Sequence, residues 1–326
     1  MLRAFPNMFR TKLKDIADSI RFLSKSERRA IYLGTTITLS CAGTGLYFSI
    51  HSIANDTVME QLQMYRKGYG IPVNPNLYQL LQQTIDEMKI SDSNTNSSVG
   101  LFNFVGNDLY SIGSLKLPFG SYIGVPYNYN FINVKQLRIE DIRLLLKFRT
   151  KRTTESPVIK KLFESLILSE SAKKYAIAHE LFWLSSSYLF VKTANILLCT
   201  IGSFLLAPTV NRKLGFTGRK KLIPRLSIGL LCFTLVTVLA GSIIDQLLDE
   251  IYDIRALKQT LQQAPNDEYR RGAEEYYSKL IERNCALYEL LGPYGSQFYT
   301  EDGRTKRLFG LMSQSYENHL ILTRSL

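Results

Sequence analysis

Three long stretches without a charged residue set the first limit on what this chain can become. Ala30 to Ile50 is uncharged over 21 residues. As a helix rising about 1.5 Å per residue, that length covers the roughly 30 Å hydrocarbon core of a bilayer. Leu226 to Ile244 and Thr193 to Val210 are also uncharged, and the latter extends upstream through Leu181 to Val191 with Lys192 as the interruption. A soluble fold can bury one such helix, but three in one chain predict membrane spans at 30–50, within 181–210 and at 226–244. Overall composition hides this, because 45% apolar residues and a mean hydropathy of −0.04 describe an ordinary globular chain.

Charge placement orients those spans. The net charge is +12. In segment 1–29, Arg3, Arg10, Lys12, Lys14, Arg21, Lys25, Arg28 and Arg29 face three acids, and the connector 211–225 packs in Arg212, Lys213, Arg219, Lys220, Lys221 and Arg225. With three spans the two basic segments share one side, which the positive-inside rule makes bacterial cytosol or mitochondrial matrix. The first fourteen residues are basic and lack acids, as in a mitochondrial presequence. Basic clusters that flank spans are accounted for by anionic lipid headgroups, so no nucleic-acid partner is expected. Cys41, Cys199, Cys232 and Cys285 show no paired spacing and read as free thiols, with neither a disulfide framework nor a structural zinc site.

The remaining segments, 51–180 and 245–326, fall together on the opposite side and can join into one domain. In the first, Asn74-Pro75 starts a helix whose stripe is Leu77, Leu80, Leu81, Ile85 and Met88. Ser91 to Ser98 is a polar loop. Val99 to Phe131 is rich in aromatic and β-branched residues punctuated by glycine and predicts a small antiparallel sheet. Ile139 to Lys151 is amphipathic and basic, and Ser156-Pro157 starts a further helix. In the second segment, Asp245 to Leu261 continues as helix, Pro265-Asn266-Asp267 breaks it, and Tyr269 to Leu291 forms another helix ended by Gly292-Pro293. The fold class expected is an α+β membrane protein with three transmembrane helices and a composite, mostly helical domain.

One motif carries recognisable chemistry. On the helix from Ser169 to Leu184, His179-Glu180 has the form of HExxH, in which two imidazoles one turn apart hold zinc and the glutamate acts as base. Trp183 stands where the second imidazole belongs, and an indole offers a metal no lone pair. The order of sheet, His-Glu helix, two apolar runs and a helix bearing Asp249 and Asp253 is similar to that of membrane-embedded HExxH proteases of the heat-shock and prenyl-protein-processing type. That resemblance implies His179 as first ligand, Glu180 as base, Asp249 as third ligand and Asp253 as its supporting carboxylate. With one imidazole gone, these are vestigial positions of a degenerate zincin-like domain, and a pseudoenzyme with no cofactor or metal is expected. The alternative is a zinc metallopeptidase with an atypical ligand set. His51 and His319 lie in no ligand pattern, and GxSxG, GxGxxG and P-loop motifs are absent.

A second resemblance is more specific. Gly272-Ala273, Tyr277, Lys279-Leu280, Asn284, Ala286-Leu287, Leu290-Leu-Gly292, Gly295, Tyr299 and Gly303 resemble the transmembrane protein 177 family of the mitochondrial inner membrane. Ser171 to Ala178 with Glu180, and Gly124-Val-Pro126, resemble it as well. His179 is not among the residues that carry this likeness. The resemblance implies a non-catalytic role in cytochrome c oxidase assembly, in association with newly made subunit 2 and its assembly chaperones. It also implies the mitochondrial inner membrane, where the charge placement puts the basic tail and connector in the matrix and the composite domain in the intermembrane space.

Overall fold

The computed structural model describes residues 24–90, 99–136, 157–213, 231, 235–307 and 312–326. The tail 1–23, the polar run Ser91–Ser98, the amphipathic segment Ile139–Lys151, the connector beyond Lys213 and most of Leu226–Thr234 lie outside these residues. The chain divides into two compact units, one within 1–46 and 196–241, the other within 47–195 and 242–326.

The first unit is built from two helices, α1 (Lys25–Ile50) and the distal part of α6 (Tyr188–Lys213), and a π-helical turn at Leu235–Ala240. Its side chains point large apolar groups outward. Leu33 is 56% exposed, Leu46 66%, Leu198 68% and Leu205 65%. Ser40, from the run of small residues Ser40, Cys41, Thr44 and Gly45, is buried. Among the described residues no single helix is long and apolar enough to cross a membrane. In α1 the apolar residues are diluted by Thr35, Thr36, Thr38, Ser40 and Thr44.

The sequence expectation of a helix running unbroken from 181 into the second span is corrected. The structure ends α5 (Glu170–Ser185) before α6 begins, and the two are bent by 53°. Three consecutive serines cause the break. Ser186 leaves helical geometry at φ −75°, ψ 173°, its hydroxyl donates to the Trp183 carbonyl at 2.6 Å, and it accepts from the Tyr188 N–H at 3.1 Å. A serine that caps one helix and restarts another competes with the continuous ladder. The bent pair together has the length and composition of a span.

The second unit is α+β. It contains α2 (Asn55–Leu62), α3 (Pro75–Met88), α4 (Pro157–Leu166), α5, α7 (Gly241–Gln263) from its second residue, α8 (Glu268–Leu291) and α9 (Tyr316–Ser325). Strands β1 (Tyr65–Arg66) and β2 (Tyr69–Gly70) form one ribbon, and β6 (Thr305–Arg307) and β7 (Met312–Gln314) another. The expected antiparallel sheet is mixed instead. Strands β3 (Val99–Phe104), β4 (Tyr110–Gly113) and β5 (Ser121–Pro126) lie in the order β3-β5-β4, with β3 parallel and β4 antiparallel to β5. The near-continuously buried β5, with Ile123 and Val125 fully covered, takes the centre where both edges are paired.

Helix α3 starts on its Asn74 cap, which accepts from the Asn76 N–H, and buries Leu77, Leu80, Leu81 and Met88. Its core partners are Ile123 and Val125 of the sheet and Ala176, Ile177 and Leu181 of α5. Helix α8 packs against α4, α5 and α9. The glycines that carried the family likeness are packing positions. Gly272 lies so close to α5 that an added Cβ would stand 2.3 Å from the Ser171 carbonyl oxygen. Gly303 has a φ of +80° beside the Ile281 carbonyl, and buried Asn284 donates to the Gly303 carbonyl at 2.9 Å.

Candidate functional site

The His-Glu pair sits on α5, which is buried nearly all around. The helix is capped by Ser169, whose hydroxyl accepts from the Ala172 N–H. One face meets the sheet and α3, and the other meets α7, α8 and α9 through Tyr175, Ala178 and Phe182. That placement leaves His179 7% exposed and flanked by carboxylates. Its Nε2 lies 3.1 Å from Asp253 Oδ1 and 3.2 Å from the Asp253 carbonyl, and its Nδ1 lies 3.4 Å from Glu180 Oε1.

The other oxygen of Asp253 faces a residue that sequence reasoning passed over. His319 of α9 is 2% exposed, and its Nε2 lies 2.8 Å from Asp253 Oδ2, at ion-pair distance without a well-directed hydrogen bond. Its Nδ1 is 3.2 Å from the Ser315 carbonyl. One carboxylate from α7 thus ties α5 to α9. Nothing near His319 in the sequence announces this, because its partner lies 66 residues upstream on a different helix. The available hint was negative: a histidine on a C-terminal helix with apolar neighbours, Leu320 and Leu322, must find a polar partner if it is buried.

Both nitrogens of His179 face oxygen acceptors, which is the geometry of an imidazolium. Burial opposes the charge, but the hydrogen bonds and charges of Asp253 and Glu180 outweigh it and raise the His179 pKa to about 10. Burial likewise pushes the Asp253 carboxyl upward, and its close contacts with the His179 and His319 imidazoles overcome this and hold it well below the usual carboxylate range. Glu180 accepts from His179 and from the Ser111 hydroxyl of β4.

The residues aligned with a zinc site fall into two groups. His179 meets Asp253, the residue expected behind the ligands. Asp249, expected as third ligand, belongs to another cluster, where it accepts from the Tyr188 hydroxyl and lies 3.6 Å from Lys192 Nζ. Lys192 also donates to Tyr188 at 2.6 Å and pairs with Asp245 at 2.9 Å. Trp183 fills the second-ligand position with rings, its centroid 4.5 Å from Tyr188 and 6.5 Å from Tyr252. Among the described residues no three His, Cys, Asp or Glu groups are arranged to hold a metal ion. The residues present do not fit zinc, since both imidazole Nε2 atoms are directed at the same carboxylate.

The two clusters share a cavity of about 440 Å³, whose walls include Tyr110, Ser111, Glu180, Trp183, Tyr188 and Lys192. Tyr276 and Tyr277 also line it, the latter in a Tyr175–Tyr277 hydroxyl pair at 2.9 Å. His51 also lines it, with burial and the nearby Lys192 lowering its pKa and so favouring the neutral ring.

The fold and site define a helix-rich α+β protein in which a His-Glu helix is tied by a histidine–aspartate–histidine link. Comparison with known proteins gives the kinship. The chain is 25% identical over 268 residues to Transmembrane protein 177 of Mus musculus, covering 81% of this chain and 82% of that protein. It is 27% identical over 293 residues to the Danio rerio protein of the same name, covering 87% and 90%, and 26% identical over 291 residues to that of Xenopus laevis, covering 87% and 88%. Over most of its length the chain is similar to proteins named Transmembrane protein 177. No family model matches it, and no solved structure does.

Proposed function

We propose that the protein is a non-catalytic factor of the mitochondrial inner membrane that associates with newly made cytochrome c oxidase subunit 2 and its assembly chaperones, and stabilises them during complex assembly. Kinship with proteins named Transmembrane protein 177 supports a membrane location, as do the outward leucines of the first unit, which suit lipid better than water. In this reading the chain crosses the bilayer three times, at 30–50, within 181–210 and at 226–244. The basic segments 1–29 and 211–225 face the matrix, and 51–180 with 245–326 face the intermembrane space.

The observation that carries the non-catalytic part is the Asp253 link. It directs His179 toward a carboxylate, while Trp183 occupies the second-ligand position with an indole. An inserted subunit that lacks its partners exposes packing surface, which apolar helices and a folded domain can cover. Pulse-labelling of mitochondrial translation products followed by a chase tests the function. Loss of the protein is expected to shorten the lifetime of new subunit 2 at unchanged synthesis, and the two are expected to co-purify in mild detergent. A normal lifetime without co-purification would reject the client.

The second reading, a metallopeptidase with an atypical ligand set, draws on one observation: His319 brings a second imidazole to Asp253 from outside the motif. Metal analysis of the purified protein and Glu180→Gln separate the two readings. Under the favoured one the variant supports normal subunit 2 lifetime, whereas stoichiometric zinc together with loss of function in the variant would establish the peptidase.

A further inference from the structure

The cavity beside Glu180 has walls suited to a particular class of guest. Tyr47, Tyr110, Trp183, Tyr188, Tyr276 and Tyr316 bring six aromatic rings to its surface. Aromatic faces attract cations through their quadrupole, most strongly where water is displaced. Carboxylates of Asp108, Glu180, Asp249 and Asp253 line the same walls against the cations Lys192 and His179. Behind the walls, Arg283 takes Asp108 at 2.7 Å and Asp245 adds a carboxylate at Lys192. These acidic groups outnumber the basic ones. An anion entering here would meet these carboxylates and hydroxyl-bearing rings, and Lys192, the lysine that lines the cavity, is already shared by two aspartates.

Lys192 shows how a cation is held. Its ammonium stands 5.0 Å from the Tyr188 ring centroid, bonded to that ring's hydroxyl and paired with Asp245 and Asp249. We propose that this cavity binds a guanidinium or ammonium group on a slim aliphatic stem, in the manner of Lys192 and next to it. The volume of about 440 Å³ accepts a group of that size. In the partner-binding reading, on which this inference builds, the guest is an arginine or lysine side chain of the bound polypeptide. A free amine carries the same chemistry.

Trp183 lines the cavity and is the single tryptophan of the chain, so its emission reports occupancy of this site alone. The full chain in detergent is titrated with an acetylated, amidated Gly-Arg-Gly tripeptide, its Gly-Glu-Gly counterpart, and agmatine. A saturable emission change is expected with the arginine tripeptide, at least about tenfold weaker with the glutamate one. Asp249→Asn should weaken the arginine response about tenfold. Lys192→Met, which removes the resident ammonium, should tighten it, a direction that damage to the fold does not produce. Tighter binding of the tripeptide than of agmatine assigns the site to a partner side chain, and equal binding assigns it to a free amine. Absence of an emission change with either cation overturns the inference, as does an equal response to the glutamate tripeptide or an unchanged affinity in Lys192→Met. Each of these results is independent of whether subunit 2 co-purifies, so failure here and failure of the client assignment can be told apart.

Discussion

Asp253 shows how much one buried carboxylate decides in this protein. It is contacted by His179 from α5 and His319 from α9, so removing it leaves two imidazoles in the interior without their shared acceptor. Breaking a buried pair from one side costs about 3–5 kcal/mol, more than the net worth of the pair, because the abandoned groups stay desolvated. Asp253→Ala should therefore lower the melting temperature sharply, while Asp302→Ala, on an exposed loop beside Arg304, should barely change it. The sign of the pH dependence follows from the direction of each shift. His179 is raised from 6.5 to about 10, so its contribution is complete below pH 6.5 and disappears as pH climbs through 10. Asp253 is depressed, so its contribution is present above the ordinary carboxylate range and is lost as acid approaches its lowered value. These describe one interaction and count once. Melting temperatures measured from pH 6 to pH 10 should decline, and the decline should flatten in His179→Gln.

At the scale of elements, close helix contacts are set by glycine and breaks by serine. Helices α5 and α8 approach at Gly272, where a methyl group would meet the Ser171 backbone. Neither partner there is a flexible side-chain end, so Gly272→Ala must push two helices apart, at a cost of about 1–3 kcal/mol. Gly34 of α1 is the matched control. Nothing lies within 4 Å of its added Cβ, and Gly34→Ala should stabilise by about 0.5–1 kcal/mol through helix propensity. Thermal unfolding of the two variants should move in opposite directions. A shift of the same sign in both would contradict the close approach of α5 and α8.

At the scale of the whole molecule, the three-span topology we propose predicts a pattern of protease access. With the outer membrane ruptured and the inner membrane intact, 51–180 and 245–326 should be digested while 1–29 and 211–225 stay protected. Protection of the C-terminal segment under those conditions would reject the topology. The bend at Ser186 marks where the expected long run breaks into two helices.

Local patterns by themselves determined much of this protein: the α3 stripe at Leu77, Leu80 and Leu81, the proline start of α4, the break before α8, and a His-Glu helix with an indole where a ligand belongs. Each depends on residues within about a turn or two, where helical periodicity, capping and proline geometry act directly. The family likeness was legible as well, since glycines such as Gly272 and Gly303 meet packing demands that few other residues satisfy. What only the tertiary structure decided depends on contacts between distant segments. The sheet order followed from which strand the core buries most deeply, and the 53° bend from serine hydroxyls winning over an apolar pattern that favoured continuation. The partner of His179 proved to be Asp253, and His319 joined it from the far end of the chain, because a buried charge takes whichever opposite charge the packing of helices brings within about 3 Å.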